Sequence, residues 1–546
     1  MLRRYVSRVW FRGAVRSSVV CVLACMTWSC GQAEVPVQQA PPPGPTAETF
    51  TRLSERVDPW VAKSRVLVMT DIANEPDDQM SMVRLLVYSN QFDIEGLVAT
   101  TSTWMRARVR PDVINLVLDA YAQVFPTLSQ HAPGFPSADA LRAVVTTGPE
   151  GFGMAAMAGD GEAISTGAQQ IIDAVDRQDP RPLWVLAWGG ANTLAEALEF
   201  ARRTRSADDF EAFVSKLRVY SISDQDDSGP WMRREFPTLH YIALPSTPDG
   251  DQYYQATWTG ISGDLFYKNS DGADFTTFTN AWVDAYIRAK GPLGRLYIPP
   301  CCIHEGDTPA FLGLINNGLA SFMSPTYGGW GGRYVWRQYY GESRPSWTQG
   351  GDSYPGRDSS KDTVLGIDGR PRTSDQATIW RWRTAFQHDF AARMDWTVTS
   401  VADANHNPVA RVNGQDGLAP IVIDTVRGAA VTLDASATTD PDGDRLRYSW
   451  FYYPEAGTGI PSQPVVAGPA VLIGGGGSQE EGGIPSAGAD GPPQSPSRVV
   501  LDRTTGPRIT ATMRTPGTAH IILVVEDDGV PSLTSYRRVI VRGRAQ

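Results

Sequence analysis

Cysteine is nearly absent from the body of this sequence. Of five cysteines in 546 residues, Cys21, Cys25 and Cys30 fall within the first thirty positions, and the adjacent Cys301 and Cys302 lie far beyond them. Two neighbouring thiols supply neither a disulfide framework nor the spacing of a zinc site, so packing must hold the fold. The pair reads as two buried thiols in preference to a strained vicinal disulfide. Basic tracts are missing after the N-terminus, and the net charge is −10. That balance argues against nucleic acid or an anionic membrane surface as the main partner. The mostly apolar run from Ser17 to Trp28 is too short to span a bilayer stably.

What is present points to an exported globular chain. The length calls for two or more domains, and 42% hydrophobic residues with 16 Trp suit packed cores. Arg3, Arg4, Arg8, Arg12 and Arg16 make a basic head before the apolar run, which is the pattern of an export signal over 1–30. Ser29 before Cys30 and Gly31 after it resemble a bacterial lipoprotein signal, with Cys30 as the lipidated residue; plain secretion with cleavage nearby is the alternative. Either address places the protein in the periplasm, on the outer membrane through a lipid anchor, or outside the cell. Residues 31–60 read as a Pro-rich linker.

Two textures follow. Over 61–400, continuous apolar runs such as "SRVLVMT", "IEGLVATT", "PLWVLAWGG", "LRVYSIS" and "LHYIALP" alternate with helical patterns such as "VINLVLDAYAQVF" and "NTLAEALEFARR", and a helical segment over 375–396 closes the region. Strands apolar on both faces between helices predict an α/β domain with a mainly parallel, Rossmann-like sheet. From 401 to 546, short alternating strands with Asp-Gly and Pro turns predict an all-β sandwich. Its "DASATTDPDGDRLRYSW" and "VVEDDGVPSLTSYRRVIV" pieces resemble the cadherin-like branch of Ig-type modules, and the Gly-, Pro- and Ser-rich 457–497 reads as a flexible insert. The sandwich is expected to fold alone. The "DPDGD" loop, Asp440 to Asp444, suits an Asp-Gly turn or a calcium loop.

Chemistry concentrates in "TDIANEPDD". Asp71 ends a predicted strand, and Glu75, Asp77 and Asp78 follow within seven residues, where a helix begins. In an open parallel sheet, ligands sit at the carboxyl ends of the strands. A helix cap and dipole account for one or two acids there. Four crowded carboxylates repel one another unless a cation lies among them. Oxygen donors without Cys or His suit calcium or magnesium. A second cluster, 325–357, sets Trp330, Tyr334, Trp336 and Tyr339 among glycines. Two readings stand: aromatic faces displayed at a site mouth to stack sugars, or aromatics packed over the sheet rim.

The motifs "TDIANEPDDQMSMVR", "GLVATTSTW", "ISDQDDSGPWMR" and "EGDTPAFLGLI" occur in order. Together they resemble the nucleoside hydrolase-like domain of bacterial proteins labelled cellulose-binding, in which an Ig-like domain follows. The first motif has two more residues between its Asp71 and the Asp pair than nucleoside hydrolases have, and Met69 stands where their first Asp would be. The resemblance implies calcium as cofactor, held by Asp71, Asp77, Asp78, Asp307 and the backbone carbonyl of Trp188. It implies Asp71 as the base that takes a proton from water. His304 and Glu305 are candidates for the leaving-group acid, although His304 equally suits a supporting histidine. Thr103 falls near a ribose-binding position, and Asp77, Gln225, Asp226, Asp227, Trp330 and Trp336 are candidate substrate contacts. The implied function is metal-dependent hydrolysis of a glycosidic bond in a carbohydrate or nucleoside-like small molecule, through an oxocarbenium-like transition state. The alternative is a carbohydrate-binding envelope protein without catalysis. No oligomeric state is legible.

Overall fold

The structure, a computed structural model, describes residues 46–244, 256–262, 272–301, 303–338, 342–348, 360–458 and 497–545. The expected export signal, nearly all of the insert 457–497, Cys302 and Tyr339 lie outside these residues.

An eight-stranded sheet organises the first region. Its strands are β1 (Ser64–Thr70), β2 (Phe92–Ala99), β3 (Val145–Thr147), β4 (Leu183–Ala187), β5 (Leu217–Ser221), β6 (His240–Ala243), β7 (Val335–Arg337) and β8 (Ser346–Thr348), in the order β3-β2-β1-β4-β5-β6-β8-β7. All neighbours run parallel except the β7–β8 pair. The two-residue period of a strand sends alternate side chains to opposite faces. Val66 and Val68 accordingly join one apolar core, while Leu67 and Met69 join another on the far side. Strand order reverses between β1 and β4, which opens a crevice at their carboxyl ends. Helix α1 (Ala47–Ser54) precedes the sheet, α2 (Pro76–Val87) follows β1, and α3 (Pro111–His131) follows β2. Pro76 occupies the first turn of α2, where a missing N–H costs nothing. Among the described residues, no helix is long and apolar enough to cross a membrane.

The hairpin β9 (Asp362–Leu365) and β10 (Pro371–Ser374) leads to the helix Arg383–Asp395 and then to the β region. There β11 (Ile421–Val426), β12 (Ala430–Asp434), β13 (Arg447–Tyr453), β14 (Val499–Leu501), β15 (Arg508–Met513), β16 (Gly517–Glu526) and β17 (Thr534–Arg544) form two sheets, β11-β17-β16-β13 and β12-β15-β14. Residues of both sheets, among them Trp450, Ile509, Ile521 and Val541, share one core.

Three expectations change. The span 31–60 is not linker throughout, because Phe50 of α1 is buried in the main core, with Leu53 packed against it three residues on. Cys301 is exposed, because it follows Pro299 and Pro300 in a surface loop, so the buried-thiol reading does not hold for it. The β region is also not self-contained: Tyr453, Ile522 and Tyr536 belong to the core of the first region, with Tyr536 edge-on to Trp382 at 5.4 Å.

Candidate metal and ligand site

β1 delivers its chain end to the crevice. Asp71 follows Thr70, and the backbone turns there, with Asn74 N–H donating to the Asp71 carbonyl (3.1 Å). Ala73 takes the left-handed conformation (φ 77°) that an L side chain rarely adopts. Pro76 then starts α2 and places Asp77 and Asp78 in its first turn. From the far side of the sequence comes Asp307, on a turn in which Glu305 is also left-handed (φ 53°). One carboxylate oxygen each of Asp77, Asp78 and Asp307 lies within 4.8 Å of the others, and all three residues are buried.

Asp71 sits beside this trio. Asp71 is 2% exposed, the side chains of Ser102 and Asn74 hydrogen-bond its carboxylate, and Asp78 lies alongside. The Thr70 hydroxyl donates to Asp78 Oδ1 and accepts from the Ile72 N–H (3.1 Å). Two glycines allow the close approach. A Cβ at Gly189 would sit 2.8 Å from Asp71 Oδ1, and one at Gly306 would sit 2.7 Å from Asp77 Oδ2.

The electrostatics are those of an unneutralised cage. Burial, with the charges of Glu75 and Asp71, pushes the Asp77 carboxyl well above the usual range. Burial, then Asp71 and Asp77, does the same to Asp78, and burial, then Asp78 and Asp77, to Asp307. Glu75 is pushed up to about 7 by burial and by Asp71. Asp77 Oδ1 and Asp307 Oδ2 are buried without a hydrogen-bond donor. Buried carboxylate oxygens are normally satisfied. Orphaned oxygens on all-carboxylate donors fit a hard divalent cation.

Several predicted substrate contacts already have partners within the fold. The Trp188 carbonyl accepts the Gln225 side-chain amide (2.6 Å), so Gln225 braces the end of β4. Asp226 accepts the N–H groups of Asn192 (3.0 Å) and Ser228 (2.9 Å), which holds together the starts of two helices. Asp227 is exposed and accepts the Met154 N–H (2.9 Å). Thr103 accepts from Arg106 (3.0 Å), while its neighbour Ser102 is the residue that reaches Asp71. Of the two candidate acids, His304 is not poised as one, while burial raises the Glu305 carboxyl above its ordinary range. His304 is held near neutrality of the ring, its pKa lowered to about 3 by burial and by Arg84 and Arg383. The Tyr297 hydroxyl contacts His304 Nε2 (2.8 Å) and donates to Glu305 Oε1 (2.5 Å), and Arg84 pairs with Glu305 Oε2 (3.2 Å). This buried network braces the turn that carries Asp307. Trp330, Tyr334 and Trp336 are buried, so the rim-packing reading applies to them: Trp330 meets Tyr536, and Trp336 meets Trp347.

Sequence reasoning missed Thr70, Asn74 and Ser102. All three lie inside motifs already singled out, and each is a short polar residue next to a carboxylate in the fold.

A mainly parallel sheet with buried acids at its switch point defines a nucleoside hydrolase-like protein. The family model "cellulose-binding Sde182, nucleoside hydrolase-like domain" matches residues 65–334, and the model of the Sde0182 C-terminal domain matches 430–543. A solved nucleoside hydrolase-related protein from Saccharophagus degradans, described as associated with carbohydrate metabolism, is 32% identical; the match covers 88% of this chain and 100% of that one, with a TM-score of 0.67. The chain belongs to this Sde182 family. Two effector proteins, XOO4466 and XopQ, the latter solved with adenosine diphosphate ribose, match at 11% and 10% identity. Those matches cover 55% and 65% of this chain and 91% and 99% of theirs, and TM-scores of 0.27 and 0.29 carry no argument. No curated protein matches.

Proposed function

We propose that the chain is an exported carbohydrate-binding protein whose ligand docks at the carboxyl end of the parallel sheet, beside a calcium ion held by Asp77, Asp78 and Asp307. The observation that carries this reading is the trio itself, three buried carboxylates of which Asp77 and Asp307 carry orphaned oxygens, in a family described as cellulose-binding. When bound, the ion supplies positive charge and coordination positions for hydroxyl oxygens. Asp71, fixed by Ser102 and Asn74, presents a second acceptor for a sugar hydroxyl, and Thr70 fixes Asp78. The basic, apolar N-terminal segment supports export.

Hydrolysis is the second reading, and one observation favours it. Asp71 is buried and its pKa is raised, chiefly by burial, as suits a general base, and its carboxylate is held by side-chain hydrogen bonds. Calorimetry with cello-oligosaccharides, in calcium and in chelator, tests the main reading. Binding in calcium that is lost in chelator and in Asp78→Asn is expected; equal binding under all three conditions overturns it. Release of products from oligosaccharides or nucleosides in the same samples decides the second.

A further inference from the structure

The motif "GLVATTSTW" gives Ser102 to the site and then ends on Trp104, which the core does not take up. Trp104 is 54% exposed, whereas its neighbour Met105 is buried, so the loop after β2 turns one side chain in and the other out. Trp188 and Trp258, near the acids, are buried. So are Trp330 and Trp336, and the sugar-stacking part expected of that pair is closed to them. Single exposed apolar side chains are common on protein surfaces. The position of Trp104 is what sets it apart.

β2 and β4 flank β1 in the sheet, and the loops that follow them are stitched together beside its end. The Gly190 N–H donates to the Thr101 carbonyl (2.8 Å), and the Thr100 hydroxyl donates to the Gly190 carbonyl (3.3 Å). Ser102 continues this wall. Its Oγ accepts the N–H groups of Trp104 (3.1 Å) and Met105 (3.0 Å), and its side chain hydrogen-bonds the Asp71 carboxylate. Two N–H donors fill the acceptor positions of the hydroxyl, which leaves its proton for Asp71. One side chain thus links the backbone of Trp104 to Asp71. On the other flank, Arg106 donates to the Thr103 carbonyl (2.9 Å) and to Thr103 Oγ1 (3.0 Å). The Arg106 guanidinium also lies over the Phe152 ring (4.2 Å), which covers that aromatic face. Of the two rings, Trp104 is the one whose surface stays open.

We infer that Trp104 is a specificity-determining platform on which a pyranose ring of a β-linked glucan stacks while its hydroxyls turn toward Asp71. This rests on the carbohydrate-binding reading and names the class of ligand for that site. In β-linked glucose every ring substituent is equatorial, so both faces of the ring are C–H surfaces. Such a face laid on an indole removes apolar area of both partners from water. The hydrogen bonds that pin residues 102–106 hold the backbone of the platform before the ligand arrives, which lowers the ordering cost of binding.

Calorimetry on the full mature chain in calcium, with cellotetraose and separately with adenosine, tests this. Covering the open half of an indole predicts that Trp104→Ala weakens cellotetraose binding by about tenfold or more. Trp104→Phe, which restores an aromatic face, should keep most of the affinity, and melting curves confirm that both variants are folded. Wild-type cellotetraose affinity in Trp104→Ala would overturn the platform and leave the carbohydrate reading standing. A wild type that does not bind cellotetraose at all would overturn that reading, and the platform with it. Binding of adenosine that depends on Trp104, with cellotetraose affinity unchanged, would assign the ring to a nucleobase and overturn the sugar platform.

Discussion

Asp362 and Asp77 are both buried carboxylates of one chain, yet their surroundings are opposite. Asp362, at the joint of the two regions, pairs with Arg333 (2.8 Å) and Arg381 (2.8 Å) and accepts the Tyr453 hydroxyl (2.5 Å). Burial alone would raise its pKa, but the two guanidiniums bring it below the usual range. Asp77 faces Glu75 and Asp71 and goes the other way. A structural acid arrives with its counter-charge built in. The acids at the end of β1 do not, and the proposed ion would supply the missing counter-charge.

Breaking the paired side should have the largest effect. Asp362→Ala leaves Arg333 and Arg381 buried without their anion, a loss of about 3–5 kcal/mol in stability, read by urea denaturation. Because both regions meet there, deleting 406–546 should also expose the core around Trp382 and leave the remainder poorly folded. That is a change from the independent sandwich expected at first, and limited proteolysis of the truncated chain checks it.

The next effect is on chemistry. In the hydrolytic reading Asp71→Asn keeps the shape and the hydrogen bonds but removes the base, so turnover of any substrate found should fall by a factor on the order of a hundred or more. A near-normal rate would show that Asp71 is not the base of that reaction.

The smallest effect sharpens the unpaired side, and its sign is opposite to that of Asp362→Ala. Glu75 has a folded pKa of about 7, above its ordinary 4.5. Such a group stabilises the metal-free fold fully below its unfolded pKa, and that stability is lost as pH rises from about 4.5 through 7. In chelator, then, melting temperature should fall across this window in the wild type. Glu75→Gln should flatten the fall and, above pH 7, stabilise the metal-free protein by about 1 kcal/mol or more. Thermal melts from pH 4 to 8 in chelator measure it.

The contrast also explains what could be read beforehand. The β1–turn–α2 acids stand within eight residues, so their crowding is visible in the sequence, and Asp307 came from a motif that resembles the family's. The parallel sheet was legible because its strands are apolar on both faces. The fate of Gln225, Asp226 and Asp227 was not. A loop acid that caps a helix and one that binds a sugar look alike in sequence, and the groups that decide, Asn192 N and Met154 N, lie 34 and 73 residues away. Trp330 was equally ambiguous, since its burial depends on Tyr536, 206 residues on. Helix α1 hid inside a Pro-rich stretch because Phe50 and Leu53 are too few to show a period.

Calcium binding to the wild type and to Asp307→Asn, measured by calorimetry on the full mature chain, tests the central claim most directly. The wild type should show a tight binding event, and Asp307→Asn should lose it. A tight event that survives Asp307→Asn unchanged would show that the acids at the end of β1 do not hold the ion.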